Sequence, residues 1–110
     1  MMLQAQYKDL LQHPDIRFDV PENGAYIEVK DAATHDTLAW VKSHDRASVE
    51  QVIARSQKAQ TAWKAQTALQ RADVLWAWFD LMQENKESLA QILTAEQGKP
   101  LAEARGEIGY

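Results

Sequence analysis

The sequence contains no cysteine. That absence excludes disulfides, thiolate metal sites and a thiolate nucleophile among these residues. Glycine is sparse as well. Gly24, Gly98, Gly106 and Gly109 are the full set, and their spacing fits neither a GxGxxG dinucleotide turn nor a P-loop. Positive charge is in deficit, with 12 Lys and Arg against 16 Asp and Glu and a net charge of −4. The basic footprint of a nucleic-acid binder is therefore missing, and no such partner is expected. Long apolar runs are absent too. The longest, Val74 to Phe79, is far short of the roughly 20 residues a membrane span requires, so no membrane partner is expected. Met1 to Gln6 has neither the charged start nor the apolar core of a secretory signal. A cytoplasmic location is the expectation.

What remains is ordinary globular composition, 45% apolar and 25% charged over 110 residues. A chain of that length makes at most one modest domain.

Read in order, Met2 to His13 can form a short helix through Leu3, Tyr7, Leu10 and Leu11. Pro14 stops it, because the residue before proline avoids the α region. The period then changes. Ile16, Phe18 and Val20 alternate with polar residues, as do Ile27 and Val29, and Thr37 to Val41 reads as a third strand. Pro21-Glu22-Asn23-Gly24 and Asp31 to Asp36 are turn clusters. The expected product is a small antiparallel meander, which needs a surface to lie on.

Helical spacing begins at Ser48. Ser48 and Gln51 have capping-box spacing, and Val49, Val52, Ile53, Ala59 and Trp63 share one stripe, predicting a helix to about Ala65. Thr67 and Gln70 repeat the capping spacing. Leu69, Ala72, Leu75, Trp76, Phe79 and Met82 then line one face of the next helix, and Val74, Trp78 and Leu81 a second. Two residues along a helix is a turn of about 200°, so Trp76 and Trp78 point to nearly opposite sides. One neighbour cannot cover both, and the helix is expected to be sandwiched. Asn85 is the expected cap of a third helix. Gly98 stands where a left-handed C-cap is wanted, and Pro100 opens a fourth helix that reaches Tyr110 with no stop signal. The expectation is a polypeptide interrupted within a larger body.

The residues at that corner carry a resemblance. Glu96-Gln97-Gly98-Lys99-Pro100-Leu101-Ala102-Glu103-Ala104, with Gly106-Glu107-Ile108 and Tyr110, resembles a hallmark of aldehyde dehydrogenases, closest to their succinate-semialdehyde branch. Ala62-Trp63, Arg71-Ala72-Asp73-Val74-Leu75 and Trp78-Phe79-Asp80-Leu81-Met82 agree in order without gaps. The strand region departs from the family: Asp31-Ala32-Ala33-Thr34-His35 stands where an Asn-Pro-x-Thr-Gly turn is usual.

The resemblance implies an α+β piece, with strands at about residues 16–42 and four helices at about 49–110. It would be an incomplete N-terminal part of the NAD(P)-binding domain. The parent enzyme it implies oxidises a small aldehyde to a carboxylate with NAD or NADP. A Cys thiolate attacks the carbonyl, hydride leaves to the nicotinamide, and a Glu-activated water hydrolyses the thioester. No residue here matches those actors, so no catalytic or cofactor-binding residue, no bound cofactor and no activity are expected of these 110 residues. The implied partner is the remainder of the parent chain or a homo-oligomer. The alternative is a stand-alone helical interaction module derived from such a segment.

Other chemistry is thin. His13, His35 and His44 lie 22 and 9 residues apart, unlike a compact helical metal pair, and read as surface-loop residues. Glu103 and Glu107 share a helix face and read as solvated. Glu96 follows Leu89, Ile92 and Leu93 on the apolar stripe and is expected to be partly buried, needing a partner. By resemblance it would ligate a structural monovalent cation together with backbone oxygens of the strand region. The other reading pairs it with Lys99 or a helix-end amide.

Overall fold

The computed structural model describes residues 5–110. The start of the expected first helix, residues 2–4, lies outside them. The chain divides into two compact units. One joins the residues up to Ser43 with Met82–Tyr110, and the other is His44–Leu81.

In the first unit, helix α1 (Ala5–Leu10) precedes strands β1 (Ile16–Arg17), β2 (Tyr26–Lys30) and β3 (Thr37–Lys42). The expected antiparallel three-stranded sheet is present, but its order is β1-β3-β2, not that of a simple meander. The third strand is central because both neighbours bond to it. Ile16 pairs with Val41 on one edge, and Tyr26 to Lys30 pair with Lys42 to Thr37 on the other. The first strand is also shorter than its alternation suggested, ending at Arg17. Phe18 then lies under the Lys8 ammonium, 5.0 Å from the ring centre. The register shifts between Val29 and Lys30, so Leu38 is an extra residue on β3. That bulge lets consecutive residues Leu38 and Ala39 both be buried, where strict alternation would expose one.

Helix α4 (Lys86–Gln97) packs with α1, β2 and helix α5 (Leu101–Gly109). The seam is built of small residues. Ala90 and Ala104 are fully enclosed and Ala95 nearly so, which lets backbones approach closely. Tyr7 is buried, and its hydroxyl donates to the side-chain carbonyl of Gln91. A bidentate pair joins α4 to α5: Arg105 donates from Nε and Nη2 to the Glu87 carboxylate at 2.7 and 2.8 Å.

The second unit holds α2 (Arg46–Ala65) and most of α3 (Ala68–Glu84). The first helix opens three residues earlier than the Ser48 pattern predicts. Its cap is Asp45, whose carboxylate accepts the Ser48 amide at 2.8 Å. Asp45 and Ser48 have the same spacing as Ser48 and Gln51, and the carboxylate at a helix N-terminus wins through its charge. The Thr67 expectation holds in full. Thr67 Oγ1 accepts the Gln70 amide, and Gln70 Oε1 accepts the Thr67 amide at 2.9 Å. Neither α2 nor α3 has a buried residue. Trp76 and Trp78 are each 63% exposed, so neither flank of α3 is enclosed.

Candidate functional site

The helix–Gly–Pro–helix corner forms as the sequence predicts. Gly98 adopts φ 82° as the α4 C-cap, and its amide donates to the Thr94 carbonyl at 2.8 Å. Pro100 sits at the N-cap of α5 with φ −56°. The turn between β2 and β3 docks against this corner. The Ala32 amide donates to the Ala95 carbonyl at 2.9 Å. A Cβ placed on Gly98 would come within 2.9 Å of the Ala32 Cβ. Glycine is thus required here twice, by backbone conformation and by space.

Asp31 organises the turn, a role the sequence reading did not give it. The side chain is buried, and its Oδ1 accepts the Ala33 and Thr34 amides at 2.8 and 3.0 Å. Those amide hydrogen bonds stabilise the carboxylate and hold its pKa down to about 2. The Asp31 carbonyl accepts His35, and the Asp31 amide donates to Asp36. His35 takes φ 65°, the left-handed region a glycine would otherwise fill. An Asx turn therefore replaces the proline and glycine of the family pattern. An Asp three residues before a Thr, between two strands, was the available signal.

Glu96 lies in the last turn of α4, one residue past the carbonyl that Ala32 reaches. It is exposed, contrary to the partial burial expected from its stripe. The reason is the open cleft at that end of the helix, which leaves the side chain facing space instead of a packed surface. It is the one charged residue lining a cleft of about 120 Å3 whose other walls include Ile16, Val29, Leu38, Val41 and Ile92. The expected alternative pairing with Lys99 does not form, because Lys99 bonds Glu107 instead. Among the described residues no three or more His, Cys, Asp or Glu side chains gather in a way that could hold a metal ion. Any cation at the corner would rest on Glu96 and main-chain oxygens, a hard donor set suited to a hard, weakly charged ion.

The clearest surface features lie in the second unit. Val52, Ile53, Ser56, Ala59 and Trp63 line a shallow apolar trough on α2. On α3, Ala72, Leu75, Trp76 and Phe79 line another. The Trp76 and Phe79 rings meet edge to face at 5.3 Å. These are faces made to be covered. The one hydroxyl lining them, that of Ser56, donates to the Val52 carbonyl at 2.9 Å.

The model of the "Aldehyde dehydrogenase family" matches residues 20–110. The chain belongs to the aldehyde dehydrogenase family. It is 47% identical over 89 residues to a glutarate-semialdehyde dehydrogenase of Pseudomonas aeruginosa, covering 81% of this chain and 18% of that one. It is 44% identical over 88 residues to an NADP(+) succinate-semialdehyde dehydrogenase of Escherichia coli, covering 80% and 18%. The crystal structure of a succinate-semialdehyde dehydrogenase from Burkholderia pseudomallei superimposes with a TM-score of 0.80 at 37% identity, covering 99% of this chain and 23% of that one. The chain thus spans about a fifth of the length of these aldehyde dehydrogenases. Among its described residues no helix is long and apolar enough to cross a membrane.

Proposed function

We propose that this chain is the N-terminal scaffold segment of a cytoplasmic, NAD(P)-dependent semialdehyde dehydrogenase, an incomplete part of its cofactor-binding domain that is inactive by itself. The observation that carries the proposal is the open state of α2 and α3. Seventeen residues of α3 present indoles to opposite sides, and none of them is buried. A helix of that kind is built for a sandwich. The remainder of a parent enzyme, or another copy, is the natural cover. The semialdehyde substrate class rests on the relatives' names, and the absence of any cysteine agrees with the chemistry residing elsewhere.

Glu96 is proposed as the side-chain ligand of a structural monovalent cation in that parent. The docking of the β2–β3 turn beside Ala95 supports this role, since it brings the main chain of the strand region to the same corner. The purified chain should produce no NADH or NADPH from succinic or glutaric semialdehyde. Production of either coenzyme by the 110 residues alone would overturn the scaffold reading and favour a self-sufficient enzyme. A sharply melting monomer that binds no hydrophobic dye would instead favour a stand-alone interaction module.

A further inference from the structure

The two helices of the second unit carry opposite charge. Helix α2 has Arg46, Arg55, Lys58 and Lys64 against Glu50 alone. Helix α3 has Asp73, Asp80 and Glu84 against Arg71 alone. Asp73, Asp80 and Glu84 are seven and four residues apart, so they form one acidic ridge beside the Trp76 stripe. Arg55 and Lys64 stand on either side of the α2 trough by the same periodicity. The two helices are thus complementary in both apolar surface and charge, as an antiparallel or parallel helix pair would require.

Yet α2 and α3 share no packed interface within the chain. Only Gln66 and Thr67 connect the helices, and the linkage is braced on both sides. The Gln66 amide donates to the Trp63 carbonyl, the Arg71 guanidinium donates to the Gln66 carbonyl, and Thr67 and Gln70 exchange their capping bonds. A helix left without a complementary partner in its own chain can take the same pairing from a second copy.

We infer that, where the 110-residue chain stands by itself, a second copy covers this face. The basic α2 trough of each chain seats the acidic Trp76 stripe of the other across a two-fold axis. Each chain gives one trough and one stripe, so the dimer closes and does not propagate. The inference does not depend on the dehydrogenase reading, because it concerns charge and shape within residues 46–84.

Sedimentation of the chain over a concentration series tests it, with charge reversal as the discriminator. The variant Arg55→Glu/Lys64→Glu should weaken dimerisation at least about tenfold, and so should Asp73→Lys/Asp80→Lys, because each sets like charges against each other twice. Mixing the two variants should restore a heterodimer, since both of its helix pairs are then oppositely charged. Recovery on mixing also excludes misfolding as the cause of the single-variant loss. A monomer at all concentrations, a dimer indifferent to both reversals, aggregates of no fixed size, or no recovery on mixing would each overturn the inference. None of these outcomes bears on whether the parent is a dehydrogenase.

Discussion

Replacing Gly98 with alanine probes the corner where sheet and helices meet. Two separable costs are expected. Gly98 has φ 82°, and an L-residue in the left-handed region costs about 1–2 kcal/mol. The new methyl would also stand 2.9 Å from the Ala32 Cβ, closer than packed carbons allow. Ala32 cannot simply move away, because its amide is bonded to the Ala95 carbonyl at 2.9 Å and its turn is tied to Asp31. Overpacking of this kind costs about 1–3 kcal/mol, so Gly98→Ala should destabilise the first unit by about 2–5 kcal/mol in all. Adding Ala32→Gly removes the clash but not the backbone cost, and should return about 1–3 kcal/mol of it. Native-state hydrogen exchange at the Ala32 amide reads this locally, with urea unfolding as the global measure. A Gly98→Ala change within about 0.5 kcal/mol, typical of an exposed neutral site, would refute the docking of turn on corner. So would a double variant no better than the single.

Trp63 is 37% exposed at the edge of an open trough, so Trp63→Ala in the monomer should cost less than the about 3–5 kcal/mol of an enclosed tryptophan; a cost in that range, measured by chemical denaturation, would mean the trough is filled. Thr67→Val removes the capping oxygen at the α2–α3 corner and should cost about 1 kcal/mol of helix stability, read as lost ellipticity on heating. Acid should destabilise the first unit. Amide bonds to Asp31, and Arg105 and Gln91 beside Glu87, hold both carboxyls down to about 2 in the folded state. Unfolded values near 4 mean that this stability is complete above about pH 5 and is lost as pH falls from about 4 to about 2, with proton uptake on unfolding. Asp31→Asn keeps an acceptor oxygen and should flatten that acid limb; an unchanged limb would show that the Asp31 carboxylate does not contribute.

Much of this fold is readable from local chemistry. The Thr67–Gln70 box, the Gly98 cap, the helix breaks and the two-sided indoles of α3 all follow from spacing within a few residues. Strand order does not, because β1 joins β3 through pairings more than twenty residues apart, and hairpin signals such as Asn23-Gly24 speak only for neighbours. Asp45 lost to Ser48 as the expected cap because both fit the same spacing, and charge at the helix end decides between them. The spacing of Glu96 after Ile92 predicts partial burial, but the stripe ends on an open cleft, which no local pattern records. Asp31 is not legible as a buried residue, because polarity in a turn reads as solvation. Its burial is a property of the corner that packs on the turn.

Helix α3 carries the central claim, that this chain leaves both sides of an amphipathic helix to be covered by something else. Hydroxyl-radical footprinting, resolved by mass spectrometry on the chain at monomeric dilution, tests it directly. Trp76 and Trp78, each 63% exposed, should be modified about as fast as tryptophan in an unstructured peptide. Protection of both indoles in the monomer would contradict it.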